Sequence, residues 1–374
     1  DSIPMNGPLF ATRLLTFWGY MKKWRLLLVG LIVLLLAGCG EPYLSTMQPA
    51  GEVAKIQFDL LLLSTAIMVL VITTVVLIYV IVLIRFRRTK ENENVIPKQV
   101  EGSNKLEAIW TIIPIILLII LAIPTLISTF YLGDNRGMHK VNAQGEREAV
   151  VVNVRAHQYW WEFEYPDYGI ITSQDLVVPT DERVYFNLLA SDVKHSFWVP
   201  AAGGKLDVNT DNENTFWLVF DSDKAEEVNN IFYGKCAELC GPSHALMDFK
   251  VVALPREEFD AWVEAMQNYE VTEPESAVAK EGQQLFEANS CIGCHAITPD
   301  DPRPVEARTA PNLADFGNRT TVAGFMEFNK ENIKKWLQNP GEYKPGNKMY
   351  DHANFTEEEL DALAEYLLTL KAQE

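Results

Sequence analysis

The sequence predicts a multi-domain membrane protein made of a two-helix transmembrane hairpin, an all-β domain and an all-α domain. Three observations carry that prediction. Apolar runs at about residues 58–84 and 109–132 are long enough to cross a bilayer. Short β-branched and aromatic segments, separated by Gly, Pro, Asn and Asp, fill residues 150–255. From Arg256 onward the apolar residues return at helical spacing. A chain of 374 residues suits such a division, since domains usually hold about 100–200 residues each.

Composition narrows the class of partner. The formal net charge of -18 argues against nucleic acid, because phosphate contacts need clustered Lys and Arg, and an acidic exterior attracts basic proteins instead. The apolar residues are concentrated in three runs near the N-terminus while the rest is polar and acidic, which excludes a many-span transporter.

The first run reads as a targeting segment. Met21-Lys22-Lys23-Trp24-Arg25 gives a positive start, Leu26–Leu36 is too short to span, and Leu36-Ala37-Gly38-Cys39 matches the bacterial lipoprotein box. Residues 1–20 are then upstream sequence, 21–38 a lipoprotein signal peptide, and Cys39 the acylated first residue of the mature chain. An unprocessed membrane helix is the competing reading. Residues 39–135 hold the lipid anchor and both spans. The first span stops at Arg85-Phe86-Arg87-Arg88-Thr89-Lys90, and the loop beyond it adds Lys98 and Lys105. By the positive-inside rule this loop is cytoplasmic, so Cys39 and everything after Gly133 face outward from a bacterial plasma membrane.

Within the all-β region, ligand-type side chains gather on a late loop: Cys236, Cys240, His244 and Met247, with His195 earlier in the chain. One early His followed by Cys, His and Met before the last strand is how a cupredoxin domain collects copper ligands. Two thiolates, two imidazoles and a thioether form a soft set that suits copper far better than magnesium or calcium. A mononuclear blue-copper site needs one thiolate. The second, four residues on, points to two coppers bridged by both sulfurs, with His195 and His244 as terminal ligands and Met247 weakly bound. A Cys236–Cys240 disulfide or a zinc site are the alternatives, and either leaves the spacing of His244 and Met247 unexplained. His139, His157 and His352 stand alone and read as solvated or packed.

The run Gly234-Lys235-Cys236-Ala237-Glu238-Leu239-Cys240-Gly241-Pro242-Ser243-His244-Ala245-Leu246-Met247 resembles subunit II of haem-copper oxidases, whose cupredoxin domain carries the binuclear CuA centre. The resemblance covers roughly residues 40–255. It implies that the Glu238 carbonyl completes the copper shell and that its carboxylate reaches a magnesium at the border with subunit I. Asn104-Lys105-Leu106-Glu107-Ala108-Ile109-Trp110 is similar to the family's segment at the start of the second span, which implies that Glu107 guards the cytoplasmic mouth of a proton channel in subunit I. The residues alone permit an ordinary charge at a membrane interface. Ala156-His157-Gln158-Tyr159-Trp160-Trp161-Glu162 resembles the segment through which cytochrome c hands over its electron. The family often has Trp where Tyr159 stands, so the resemblance offers Tyr159 or Trp160 for that role, and the residues alone permit core aromatics.

Residues 256–276 read as a short helix, 256–267, and an acidic linker around Val271-Thr272-Glu273-Pro274-Glu275. Residues 277–374 form the all-α domain. Its Cys291-Ile292-Gly293-Cys294-His295 presents two thiols to the vinyl groups of one haem and His295 to the iron. Lys344-Pro345-Gly346-Asn347-Lys348-Met349 resembles the distal loop of class I cytochrome c, with Met349 as second axial ligand and Met326 and His352 as weaker candidates. Thr356 reads as the N-cap of a final helix bearing Leu360, Leu363, Ala364, Tyr366, Leu367 and Leu370.

Together these features resemble the subunit II of cytochrome c oxidases that carry a fused cytochrome c. The resemblance implies covalent haem c, CuA, partnership with subunit I and further oxidase subunits, and a cytochrome c or other donor. Electrons would pass from haem c to CuA and on to haem in subunit I, where oxygen is reduced and protons are pumped. Subunit II of a copper-containing nitric oxide reductase and a free-standing membrane-anchored carrier are the alternatives. Fusion would hold donor near acceptor at an effective concentration of order millimolar, as a short flexible linker does.

Overall fold

The computed structural model describes residues 27–33, 44–96, 99–349 and 354–372. The chain divides at Pro42: residues 27–33 of the first unit are helical, and everything below concerns the second unit, Tyr43–Glu374. The expected signal peptide cleavage site, Cys39 and His352 lie outside the described residues.

Helices α1 (Glu52–Arg85) and α2 (Asn104–Leu132) are the membrane hairpin, each apolar and long enough to cross a bilayer. Helix α1 begins six residues before the expected 58. The hydropathy of the run marks only its lipid-facing part. Its first turn instead packs on the β domain, where Val53 and Ala54 are buried and the Ala54 N–H donates to the Ala202 carbonyl at 3.0 Å. Gly51 is required at that junction, because a Cβ there would lie 1.9 Å from the Val219 oxygen. Helix α2 also starts early, at Asn104, with Ser103 as its cap, and it keeps Pro114 and Pro124 inside.

The β domain holds β1 (Val151–His157), β2 (Trp160–Tyr165), β3 (Ile170–Ser173), β4 (Asp175–Pro179), β5 (Val184–Ala190), β6 (His195–Trp198), β7 (Leu206–Val208), β8 (Asn214–Leu218), β9 (Ile231–Cys236) and β10 (Asp248–Leu254). They form two five-stranded sheets, ordered β3-β2-β1-β5-β8 and β4-β10-β9-β6-β7. Aromatic side chains from both fill the space between them: Phe197 stacks on Phe249 with centroids 4.8 Å apart, and Trp161 meets Phe197 edge-on at 5.7 Å. Burying such rings stabilises each by roughly 1.5–3 kcal/mol relative to exposure. That core is the floor on which the cysteine loop sits.

Helix α3 (Arg256–Gln267) has the expected bounds and buries Phe259, Trp262, Val263 and Met266 against the sandwich. The all-α domain follows with α4 (Ala277–Ala288), α5 (Lys330–Gln338) and α6 (Glu357–Thr369). Thr356 caps α6 in a full capping box with Glu359, and the six apolar residues expected to face inward are all buried. Helices α4 and α6 cross closely at Gly282, where a Cβ would lie 1.9 Å from the Ala362 oxygen.

Candidate metal centres

Strand β6 starts at His195 and β9 ends at Cys236, and their pairing sets Phe197 opposite Cys236. This brings the early histidine to the first cysteine. Past Cys236 the chain loops through Gly241, whose φ of +140 and close approach to Tyr159 Oη suit glycine, into a short turn at His244–Leu246. Met247 then leads into β10.

The predicted donor atoms converge. Cys236 Sγ and Cys240 Sγ lie 3.8 Å apart and unbridged, His195 Nδ1 is 3.8 Å from Cys236 Sγ, and both His244 Nδ1 and Met247 Sδ are 3.8 Å from Cys240 Sγ. The Glu238 carbonyl oxygen is 3.2 Å from Cys236 Sγ. Bonds of roughly 2.0–2.3 Å to a shared centre leave neighbouring ligand atoms about 3.3–4 Å apart, so the set fits a soft metal. Cys236, Cys240, Met247 and His195 are buried, and His244 is half-buried.

Supporting contacts orient these ligands. His195 Nε2 is bound to Asp192 Oδ1 at 2.9 Å, which leaves Nδ1 for the sulfur side. Burial pushes the ring down, but the bonds to Asp192 and Cys236 outweigh it and its pKa ends above the usual value. The two thiols share a hydrogen bond, which pulls Cys236 well below the ordinary thiol range and pushes Cys240 above it. Gln158 Nε2 donates to the Cys240 carbonyl at 2.6 Å, and Trp161 Nε1 donates to the Met247 carbonyl at 3.4 Å. Asp192 and Gln158 are site residues that sequence reasoning missed. Only the position of Asp192 three residues before His195 could have signalled the first.

In the helical domain, Cys291 is half-buried and Cys294 exposed on one short turn. His295 Nδ1 donates to the Pro311 carbonyl at 2.7 Å, leaving Nε2 as the free nitrogen, and burial lowers its pKa to about 4. A neutral imidazole with one nitrogen free is the form an iron ligand needs. Met349 packs beside the helical core at the end of a loop that Asn347 ties down, its side chain accepting from the Met349 N–H at 2.8 Å. Met326 lies on a two-residue strand and packs against the same core.

The remaining expected residues are elsewhere. Glu107 lies exposed in the first turn of α2. Tyr159 and Trp160 are 3% and 7% exposed, so neither presents an open aromatic face. Trp160 stacks on His157 at 4.0 Å, which makes His157 a packed residue.

The sequence matches three families: "Cytochrome C oxidase subunit II, transmembrane domain" over residues 45–127, "Cytochrome C oxidase subunit II, periplasmic domain" over 169–254, and "Cytochrome c" over 279–371. Among similar proteins, cytochrome c oxidase subunit 2 of Bacillus sp. strain PS3 is 65% identical over 356 residues, covering 94% of this chain and 98% of that protein. The Bacillus subtilis strain 168 protein of the same description is 59% identical over 94% of this chain and 99% of its own length. That of Alkalihalophilus pseudofirmus is 44% identical over 95% of this chain and 100% of its own length. The loop geometry, the haem-type motif and relatives that span nearly the whole sequence agree: this chain belongs to the cytochrome c oxidase subunit II family, with a cytochrome c domain joined at its C-terminal end.

Proposed function

We propose that this chain carries electrons into a proton-translocating cytochrome c oxidase, from a cytochrome c or other donor to its haem c, then to CuA, then to haem in subunit I where oxygen is reduced to water. The observation that carries the reading is the convergence of two thiols, two imidazoles and a thioether at 3.8 Å steps around Cys236 and Cys240. Haem and copper supply one-electron chemistry when bound, and passing one electron between them makes no bond and needs no proton. His195, Cys236, Cys240, His244, Met247 and the Glu238 carbonyl would hold the copper pair, and the Glu238 carboxylate would bind a magnesium at the subunit I border. Cys291 and Cys294 would hold haem c through thioether bonds, and His295 and Met349 would bind its iron. Tyr159 or neighbouring Trp160 would be the aromatic through which the electron enters the copper site.

Both metal domains face outward from the plasma membrane, and Cys39 adds a lipid anchor. Glu107 marks the proton channel of the partner at the opposite face. Replacing Glu107 with Gln should slow turnover severalfold while leaving the copper and haem spectra unchanged. Equal turnover would remove that role.

The relatives favour the oxidase over a nitric oxide reductase or a free-standing carrier. Purification from native membrane tests all three. The chain should bring with it a many-span haem-copper protein that consumes oxygen on addition of reduced cytochrome c. Recovery alone, or reduction of nitric oxide without oxygen uptake, would overturn the assignment.

A further inference from the structure

The haem domain sits on the β-sandwich along a seam of polar links. The Ile171 N–H donates to the Pro299 carbonyl at 2.8 Å, and the Asn312 N–H donates to Ser173 Oγ at 3.0 Å. Thr320 gives Asp175 both its N–H, at 2.8 Å, and its hydroxyl, at 3.0 Å. Arg308 reaches across to lie 3.6 Å from Glu162 and 3.6 Å from Glu164. At Gly324, with φ of +86, a Cβ would lie 2.5 Å from the Asp248 oxygen, so backbone meets backbone there. The linker is also held: Pro274 is buried, Val271 packs on the helical core and Glu273 pairs with Lys280 at 3.0 Å.

One link differs in kind from the others. Lys344 is 2% exposed, and its ammonium donates to the Tyr159 carbonyl of the sandwich at 2.8 Å and to the Ala323 carbonyl of the haem domain at 2.7 Å. Among the described residues no carboxylate stands within ion-pair distance of it, and burial drags its pKa down to about 7. Burying an ammonium is costly unless it is hydrogen-bonded; the bond to Ala323 lies within the haem domain, and the bond to Tyr159 is made only while the domains touch. The next two residues continue the contact. The Pro345 carbonyl accepts from Ser243 Oγ at 2.7 Å, and a Cβ on Gly346 would lie 3.4 Å from Tyr159 Oη. A Cβ on Gly241 would lie 2.4 Å from the same oxygen, so the Tyr159 phenol is wedged between the copper loop and the loop that ends at Met349.

We propose that Lys344 is the positioning residue for electron transfer between this chain's own haem and copper centres, clamping the Met349 loop onto Tyr159 and Ser243 so that the haem domain works from a fixed seat. The proposal rests on the assignment of the two centres made above. It replaces the tether expected from the linker: a docked donor is indifferent to linker length, and Tyr159 is closed to any soluble donor, which must deliver its electron to the haem domain. In the step itself one electron leaves ferrous haem and is taken up by the oxidised copper pair.

The test uses the whole purified oxidase, with a Gly/Ser insertion after Tyr269 that makes the spacer between α3 and α4 fourfold longer, in chains with Lys344 or K344M. Two quantities are read: hydrogen exchange at the seam amides of Ile171 and Thr320, and the rate of the haem-to-copper step after injection of one electron. With Lys344 present, both should be unchanged by the longer spacer. In K344M the seam amides should exchange at least tenfold faster and the step should slow about eightfold with the longer spacer, the −3/2 power expected of a tether, while both spectra keep their bands. The variant S243A, which removes one hydroxyl, should shift exchange in the same direction by less. Slowing of the longer-spacer chain with Lys344 intact would overturn the proposal, as would K344M with unaltered exchange. If K344M loses its spectra, the spacer series with Lys344 and S243A decides the matter alone. A preparation in which no electron passes in any chain removes the assigned route, whereas the exchange data still decide whether the seat exists.

Discussion

At His295 the ring is oriented by protein alone, since Nδ1 is committed to the Pro311 carbonyl at 2.7 Å and only Nε2 is left to bind. The residue proposed as second haem ligand is less constrained. Met349 is fixed through its backbone N–H, and its thioether can be removed without disturbing that bond. M349A should therefore keep the thioether-linked haem and lose its sixth ligand. Redox titration should find the potential lower by on the order of 0.1 V, within the roughly 0.8 V that axial ligands span. The copper absorption should stay in place, and an unshifted potential would move the role to another residue. The same scale explains why the donor set around Cys236 was readable: its residue types and spacing already define a soft cluster. Gln158 was not readable, because its partner, the Cys240 carbonyl, lies 82 residues away and meets it only in the folded sandwich, and for Asp192 the three-residue spacing to His195 was the sole signal.

Among the elements, helices α4 and α6 depend on one missing side chain. A Cβ on Gly282 would lie 1.9 Å from the Ala362 carbonyl oxygen and 2.9 Å from Tyr366 Cβ, and neither backbone can retreat without opening the helical core. Gly282→Ala would gain about 1 kcal/mol in helix propensity, but overpacking costs typically 1–3 kcal/mol and more against rigid backbone. The net effect should be destabilising. Denaturant unfolding followed at the haem absorption should show a lower midpoint, and a midpoint equal to or above the parent's would refute the close crossing. Element boundaries divided along similar lines. Helices α3 and α6 carry clear apolar spacing and, for α6, a capping box, so their extents were legible. Strands β6 and β7 were not, because they are only four and three residues long, with His195 and Asp207 among them, and their pairing is decided by the sheet.

Across the whole molecule, the seam between the β-sandwich and the helical domain encloses titratable groups, and Glu162 is the informative one. It is 2% exposed, and its distances of 3.9 Å to Arg155 and 3.6 Å to Arg308 are too long for strong pairing. Burial therefore outweighs both cations and raises its pKa from 4.5 to about 7. Between those values the folded, docked chain binds more protons than the unfolded one, so this carboxyl's contribution to stability falls as pH rises from 4.5 to 7 and is level above 7. His157 shifts the opposite way, down to about 3 through burial, and partly masks the trend. The comparison with E162Q isolates it. Unfolding free energies of parent and variant should diverge across that window in the variant's favour, by on the order of 3 kcal/mol at most. A constant difference would mean that Glu162 is ionised in the folded chain.

The sequence by itself determined the class of the protein: two spans from unbroken hydropathy, a soft-metal loop from residue type and spacing, and a covalent haem motif from five consecutive residues. These are local properties, set by side-chain chemistry within one segment, and no packing is needed to read them. Tertiary structure alone decided the relation between the segments. That Lys344 joins the carbonyls of Tyr159 and Ala323, and that Tyr159 is covered, depends on residues 185 and 21 positions apart in the chain. Such contacts form because a buried ammonium must find acceptors: the folded helical domain supplies the Ala323 carbonyl, and only its contact with the sandwich brings the Tyr159 carbonyl within reach.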